Sequence, residues 1–290
     1  MKKLHLLLIV LLYLLSSCSH RYYAPTSHNV PVFKEKNEAR ISGMASAIYG
    51  YSGEVQVAYA PIKHMGIIAN AAIVNPRAIK EGSDNRGHLY ELGAGYFKPF
   101  GGTHTKSLFV FETYGVLGLG GCRGYYFNSK ETLFYDANDP YNLAYPNNYI
   151  TTRFVKAYAQ PSISIGHDVV DFILSAKIGM VHNYRISNTI PDSIMNNLSP
   201  SQNLDEGTVD DDWTLLNNQR TAFVFEPAIT LRLGFKYLKF QTQLSFLVRD
   251  PSRFLQQLAT PVMASMGASI NIAPRFKKKG WKLTPTDAQY

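Results

Sequence analysis

The sequence predicts an all-β fold: an antiparallel up-and-down transmembrane β-barrel of about ten strands. Three observations carry that expectation. Ten stretches alternate apolar and polar residues at the period of two that a half-buried strand requires. The segments joining them alternate between tight turns and long loops, the asymmetry of barrels with short periplasmic turns and longer outer loops. Charged residues make up only 17% of the 290-residue chain, with 13% aromatic, 19 tyrosines and 21 glycines. A soluble domain ordinarily carries about 25% charge.

The elements follow in order. Lys2 and Lys3 precede the apolar run Leu6 to Leu15, which has the length of a signal-peptide core and is too short to span a bilayer. The run ends in Leu15-Ser16-Ser17-Cys18. That tetrapeptide resembles the lipobox of bacterial lipoproteins. The resemblance implies that residues 1–17 are removed and that Cys18 carries a thioether-linked lipid and acyl chains. Each buried methylene contributes about 0.8 kcal/mol, so several chains anchor firmly. Ser19, His20 and Arg21 follow where an acidic run would resemble the surface-export signal of Bacteroidota lipoproteins. Its absence implies an anchor in the inner leaflet of the outer membrane. Residues 18–37 are polar and broken by Pro25 and Pro31, and read as a periplasmic linker. Fully extended, it spans on the order of 60 Å at about 3.3 Å per residue.

The barrel domain is expected over 38–273, with strands at 38–48, 53–60, 65–74, 87–98, 107–120, 151–165, 169–184, 221–234, 238–248 and 261–273. The even-numbered connections are short, as at Gly166 to Asp168 and Phe235 to Tyr237. The odd-numbered ones are mostly long; only the first, near Gly50 to Ser52, is tight. An even strand count returns the C-terminus to the side where the first strand begins. Residues 274–290 form a basic tail with Arg275, Lys277, Lys278, Lys279 and Lys282, expected on the periplasmic side.

The two faces are distinct. In 169–184 one face is Val170, Phe172, Leu174, Ala176, Ile178 and Met180, and the other carries Asp171, Ser175, Lys177 and Gly179. Alternation alone also fits a soluble barrel that hides its apolar face. The polar face here is rich in Gly, Ser and Gln but sparsely charged, which suits a narrow lumen. Aromatics at the ends of apolar faces (Tyr59, Tyr96, Phe109, Phe172, Phe223, Phe246) suit an interfacial girdle. The apolar face is therefore read as facing lipid. Pro161 and Pro227 fall mid-strand in a wall that has no edge to excuse a missing N–H. A paired β-bulge at one level is the expected remedy.

Residues 29–38 (Asn-Val-Pro-Val-Phe-Lys-Glu-Lys-Asn-Glu) and 225–234 (Phe-Glu-Pro-Ala-Ile-Thr-Leu-Arg-Leu-Gly), leading into Lys239-Phe240-Gln241-Thr242-Gln243, resemble an uncharacterised outer-membrane β-barrel lipoprotein family of Bacteroidota. The resemblance implies fold and location and carries over no catalytic residue.

The expected lumen gathers Arg40, Lys156, Lys177, Arg232 and Lys239 with Glu54, Glu91, Glu112, Asp171 and Glu226. Equal numbers of each sign point to a plug of salt bridges, because an isolated charge in a confined space is costly. The alternative is an ion path or a polar ligand site. Ten strands enclose little more than side chains, and aqueous pores come with about sixteen. Free diffusion is not expected.

Loops 121–150 and 185–220 are rich in Tyr and Asn, a composition suited to contact surfaces, and are the expected binding sites for envelope protein partners. Outer-membrane lipids are the other expected partner. A hydrolase acting on lipid A or peptides is an alternative. It would use His88 or His182 near outer strand ends with acids such as Asp205, Glu206 and Asp210 to Asp212. No motif of such an enzyme is present. The acidic loop lacks the spaced ligands and glycine of an EF-hand. Asp192-Ser193-Ile194 resembles the Bacteroidota O-glycosylation triplet. No cofactor is called for. The formal charge of +8 loses Lys2 and Lys3 on processing and is dispersed, which argues against nucleic acid.

Overall fold

The computed structural model describes residues 23, 25–46, 51–75, 86–100, 108–125, 149–167, 169–189, 209–235, 237–248 and 262–272. Ten strands occupy the expected stretches: β1 Ala39–Ser46, β2 Tyr51–Ile62, β3 Met65–Asn75, β4 Arg86–Phe100, β5 Leu108–Tyr125, β6 Tyr149–Gly166, β7 Val170–Asn188, β8 Thr221–Gly234, β9 Leu238–Phe246 and β10 Val262–Asn271. Each pairs antiparallel with its sequence neighbour. The sheet closes where β1 meets β10, from Arg40 opposite Asn271 to Ser46 opposite Ser265. Closure pairs every strand with a neighbour on both sides and leaves no free edge strand.

The strict alternation of the sequence becomes the two surfaces of this wall. Leu92, Leu117, Phe240 and Met266 are more than 60% exposed on the outside, as is Ile73. Between them Gln56, Glu112, Lys156, Gln160 and Lys177 point inward and are buried. A soluble barrel needs the opposite arrangement, because apolar patches larger than a few hundred Å² are not left in water. The fold is thus a transmembrane β-barrel, with Tyr59, Tyr96, Phe109, Phe172 and Phe235 exposed toward the end of the wall formed by the short turns. That end is called the turn end below, and the opposite one the loop end.

The two mid-strand prolines do share a level, but no bulge accompanies them. Register running from Ala159 opposite Ile178 to Ser162 opposite Ser175 places Pro161 beside Ala176. The other neighbour of Ala176 is Pro227. The wall accommodates each proline by omitting pairing on one side, between Pro161 and β7 and between Pro227 and β9, while register continues unchanged. The irregularity in the β6–β7 ladder lies elsewhere, between Arg153 and Phe154.

Among the described residues of the long 185–220 connection a helix occurs where the sequence reading expected loop. α1, Val209–Asn218, includes Asp210 to Asp212 in its first turn. Leu216, from its second half, is fully buried. It packs over the loop end of the lumen with Phe154, Ala222 and Leu247.

Candidate functional site in the barrel lumen

The lumen contains a segment of the chain itself. Residues 25–33, expected as part of a solvated periplasmic linker, are all buried. Tyr23 sits at the loop end, packed with Phe154, Leu216 and Leu247. Phe33 sits toward the turn end against Phe97, with ring centroids 5.4 Å apart. The chain then reverses through the exposed residues Lys34 to Asn37 at the turn end and enters β1. Asn37 adopts a positive φ of 64° in this reversal, and its N–H reaches the Ala60 carbonyl at 2.6 Å. Burial raises the Glu38 carboxyl above its ordinary value, opposed by the hydrogen bond it accepts from the Lys34 N–H at 2.8 Å.

A single extended strand inside a barrel has no sheet partner, so its backbone groups need side chains. The wall supplies them one by one. Five successive carbonyls, Thr26 to Val30, accept hydrogen bonds. Lys177 Nζ donates to the Thr26 carbonyl at 3.1 Å. Gln56 Nε2 donates to that of Ser27 at 3.1 Å, Gln243 Nε2 to that of His28 at 3.3 Å, and Gln160 Nε2 to that of Asn29 at 2.9 Å. Arg40 and Arg232 both donate to the Val30 carbonyl. Four N–H groups of the segment, those of Ser27, His28, Val32 and Phe33, meet side-chain acceptors. Ser27 N donates to both oxygens of Glu54, at 3.1 and 2.9 Å, and His28 N to Gln243 Oε1 at 2.6 Å. Pro25 and Pro31 have no N–H to satisfy, which suits a strand without a ladder.

Glu112 makes the tightest clasp. Its two oxygens accept the N–H groups of Val32 and Phe33, each at 3.0 Å. Two successive N–H groups converging on one carboxylate are the pattern of the anion-binding nest, in which one residue takes a left-handed conformation. Val32 accordingly has φ 61°, a conformation that a β-branched residue rarely adopts. The arrangement also depends on Gly66. A Cβ there would stand 2.7 Å from Tyr114 Oη and 3.1 Å from Phe33 Cε2.

All ten charged residues expected in the lumen are buried there. They do not form the uniform salt-bridge plug that the sequence suggests. Six pair with one another: Lys156 lies 3.3 Å from Glu226 and 3.8 Å from Glu91, Lys177 lies 3.9 Å from Glu91, and Lys239 lies 2.7 Å from Asp171. The other four, Arg40, Arg232, Glu54 and Glu112, make no ion pair among the described residues and hold the backbone of residues 27–33 instead. Tyr23 ties its end of the segment to the paired group by donating to Glu226. Lys156 stands over the rings of Tyr23 and Tyr158, at 5.3 and 4.8 Å.

From loop end to turn end the interior is therefore an apolar lid under Leu216, a charged layer around Lys156, a peptide held by amides and carboxylates, and an apolar layer around Phe33 with the Lys239–Asp171 pair at the turn end. The partners that sequence reading missed are Tyr23, residues 25–33 and the inward amides Gln56 and Asn70, whereas Gln160, Gln241 and Gln243 belong to the Gln-rich polar face already expected to turn inward.

His88 and His182 both face outward and are exposed. His88 lies beside the Tyr90 ring and His182 Nδ1 is 2.7 Å from Thr221 Oγ1. They belong to β4 and β7, with two strands between, roughly 14 Å apart at about 4.8 Å per strand. The structure does not bring them together. No group of three His, Cys, Asp or Glu side chains able to hold a metal occurs among the described residues. Cys18, Asp192 to Ile194, Asp205, Glu206, most of loops 121–150 and 185–220, and the 274–290 tail lie outside the described residues.

No family model matches this chain, and no curated protein matches it. Among solved structures it is similar to the N-terminal β-barrel domain of Pseudomonas aeruginosa OprF, at 9% identity and a TM-score of 0.32, covering 82% of this chain and 100% of that one. It is also similar to the KdgM porin, at 8% identity and a TM-score of 0.35, covering 80% and 99%. Similarity at that level transfers no property of either protein.

Proposed function

We propose that this chain is an outer-membrane β-barrel lipoprotein of the Bacteroidota type, acylated at Cys18, which acts as a closed scaffold rather than an open pore. Its role is structural or in binding, with envelope protein partners engaged through loops 121–150 and 185–220. The observation that carries this reading is the occupied lumen: five consecutive carbonyls of the chain's own N-terminal segment are fastened to the wall along the barrel axis, where a pore would run. The girdled apolar wall supports membrane residence, and the lipobox-like Leu15-Ser16-Ser17-Cys18 supports the anchor.

Two measurements test it. The purified full-length protein in planar bilayers should give no conductance steps; steps from the unaltered protein would favour a gated channel. Co-purification from native membranes should recover a stoichiometric partner that is lost when residues 126–148 and 190–208 are both replaced by short Gly-Ser linkers. Recovery of the same partner after that replacement removes the loop-binding reading.

A further inference from the structure

The direction of the threaded segment fixes where the N-terminus leaves the barrel. Tyr23 is buried at the loop end, and its hydroxyl donates to Glu226, the sixth residue of β8 from that end. Phe33 lies at the turn end beside Phe97, the fourth residue of β4 from that end. The chain therefore runs from loops to turns between these points and reaches β1 at the turn end. Residues 25–33 lie buried in the lumen below Tyr23. Cys18 stands five residues before Tyr23. Five residues span at most about 18 Å, whereas the apolar band of an outer-membrane barrel is about 25 Å tall. Five residues therefore cannot return Cys18 to the turn side, which leaves the loop side.

We infer that the mature N-terminus emerges among the long loops, on the outside of the cell, and that the acyl group on Cys18 inserts into the outer leaflet of the outer membrane. The inference rests on the lipoprotein reading of Cys18 and on the rule that long loops face outward. It reverses the inner-leaflet anchor that the residues after Cys18 suggest. Threading keeps the anchor on the loop side whatever those residues are, because the wall closes around residues 25–33. The barrel then carries its own lipid across the membrane as it folds, and displays it beside its binding loops.

The test places an eight-residue epitope after His20 in the full-length protein, long enough to clear the lumen. Two reference variants carry the epitope in loop 190–208 and in the 274–290 tail. All three are compared by antibody staining of intact and permeabilised cells, using only variants that retain a heat-modifiable barrel band. The N-terminal epitope should stain intact cells as fully as the loop epitope does, with permeabilisation adding nothing. Staining that appears only after permeabilisation, together with the tail epitope, overturns the inference. Incorporation of an alkyne fatty acid, abolished by Cys18→Ala, separates the two layers of the argument. An outward epitope without fatty-acid label removes the lipoprotein reading and the proposed anchor, while leaving the threading intact. An inward epitope with label removes the threading alone.

Discussion

Replacing Glu112 by glutamine should loosen the grip on the N-terminal segment without removing a side chain. Glu112 accepts Val32 N–H on one oxygen and Phe33 N–H on the other, both at 3.0 Å, and lies 3.3 Å from the Tyr114 hydroxyl on the Phe33 side. An amide keeps one oxygen, which can retain Phe33 and Tyr114. Its NH2 group then faces the Val32 N–H, donor against donor. One hydrogen bond to a charged group is lost in a buried site, which costs about 1.5–3 kcal/mol. At about 1.36 kcal/mol per decade that is roughly a 10- to 150-fold fall in the folded-to-unfolded ratio. Glu38→Gln is the matched control. Its carboxylate accepts the Lys34 N–H at the exposed turn end, and the loss there should stay within about 1 kcal/mol. Urea unfolding of both variants in detergent, followed by loss of the heat-modifiable form, reads the difference directly. If Glu112→Gln is no less stable than Glu38→Gln, the clasp does not hold the segment and the nest at Val32 has been misread.

Three further outcomes follow from the same geometry. Deleting residues 25–33 should turn a silent barrel into a conducting one, since removing an extended chain frees a slot of about 5 by 10 Å; planar-bilayer recordings check it. Lys156→Met leaves Glu226 with only the Tyr23 hydroxyl and should destabilise by about 3–5 kcal/mol, and adding Glu226→Gln should recover part of that in the same urea assay. Gly66→Ala forces apart Tyr114 and Phe33 and should cost about 1–3 kcal/mol by overpacking, measured as a lower melting temperature of the detergent-solubilised protein.

The wall was legible because alternation at period two is a local signal. Stretches such as Val170 to Met180 state both faces at once, and all ten strands stand within a few residues of their expected bounds. The inward direction of Arg40, Lys177 and Glu226 followed from the same pattern. Their partners did not, because pairing across a lumen depends on register between distant strands. The largest difference is residues 25–33. Their prolines and lack of alternation read as solvated linker, but the same traits fit a lone extended strand that needs few N–H partners. A signal was present in Val30, Val32 and Phe33, apolar residues with nothing to cover them in a linker, and in the glutamines at 56, 160 and 243, whose amides donate to the carbonyls of residues 27–29. α1 was hidden for a different reason. It is ten residues long, and only Trp213, Leu215 and Leu216 mark its buried side.

The threading itself can be trapped covalently. Ser27 donates to Ser265 of β10 across the lumen, with the two hydroxyl oxygens 3.0 Å apart. In a Cys122→Ser background, Ser27→Cys with Ser265→Cys should form a disulfide under mild oxidation, seen as a reducible shift of the denatured band on a gel. Single variants should show none. A double variant that stays fully reduced and alkylatable after oxidation, in a barrel that is otherwise folded, would mean that residues 25–33 do not lie inside the wall.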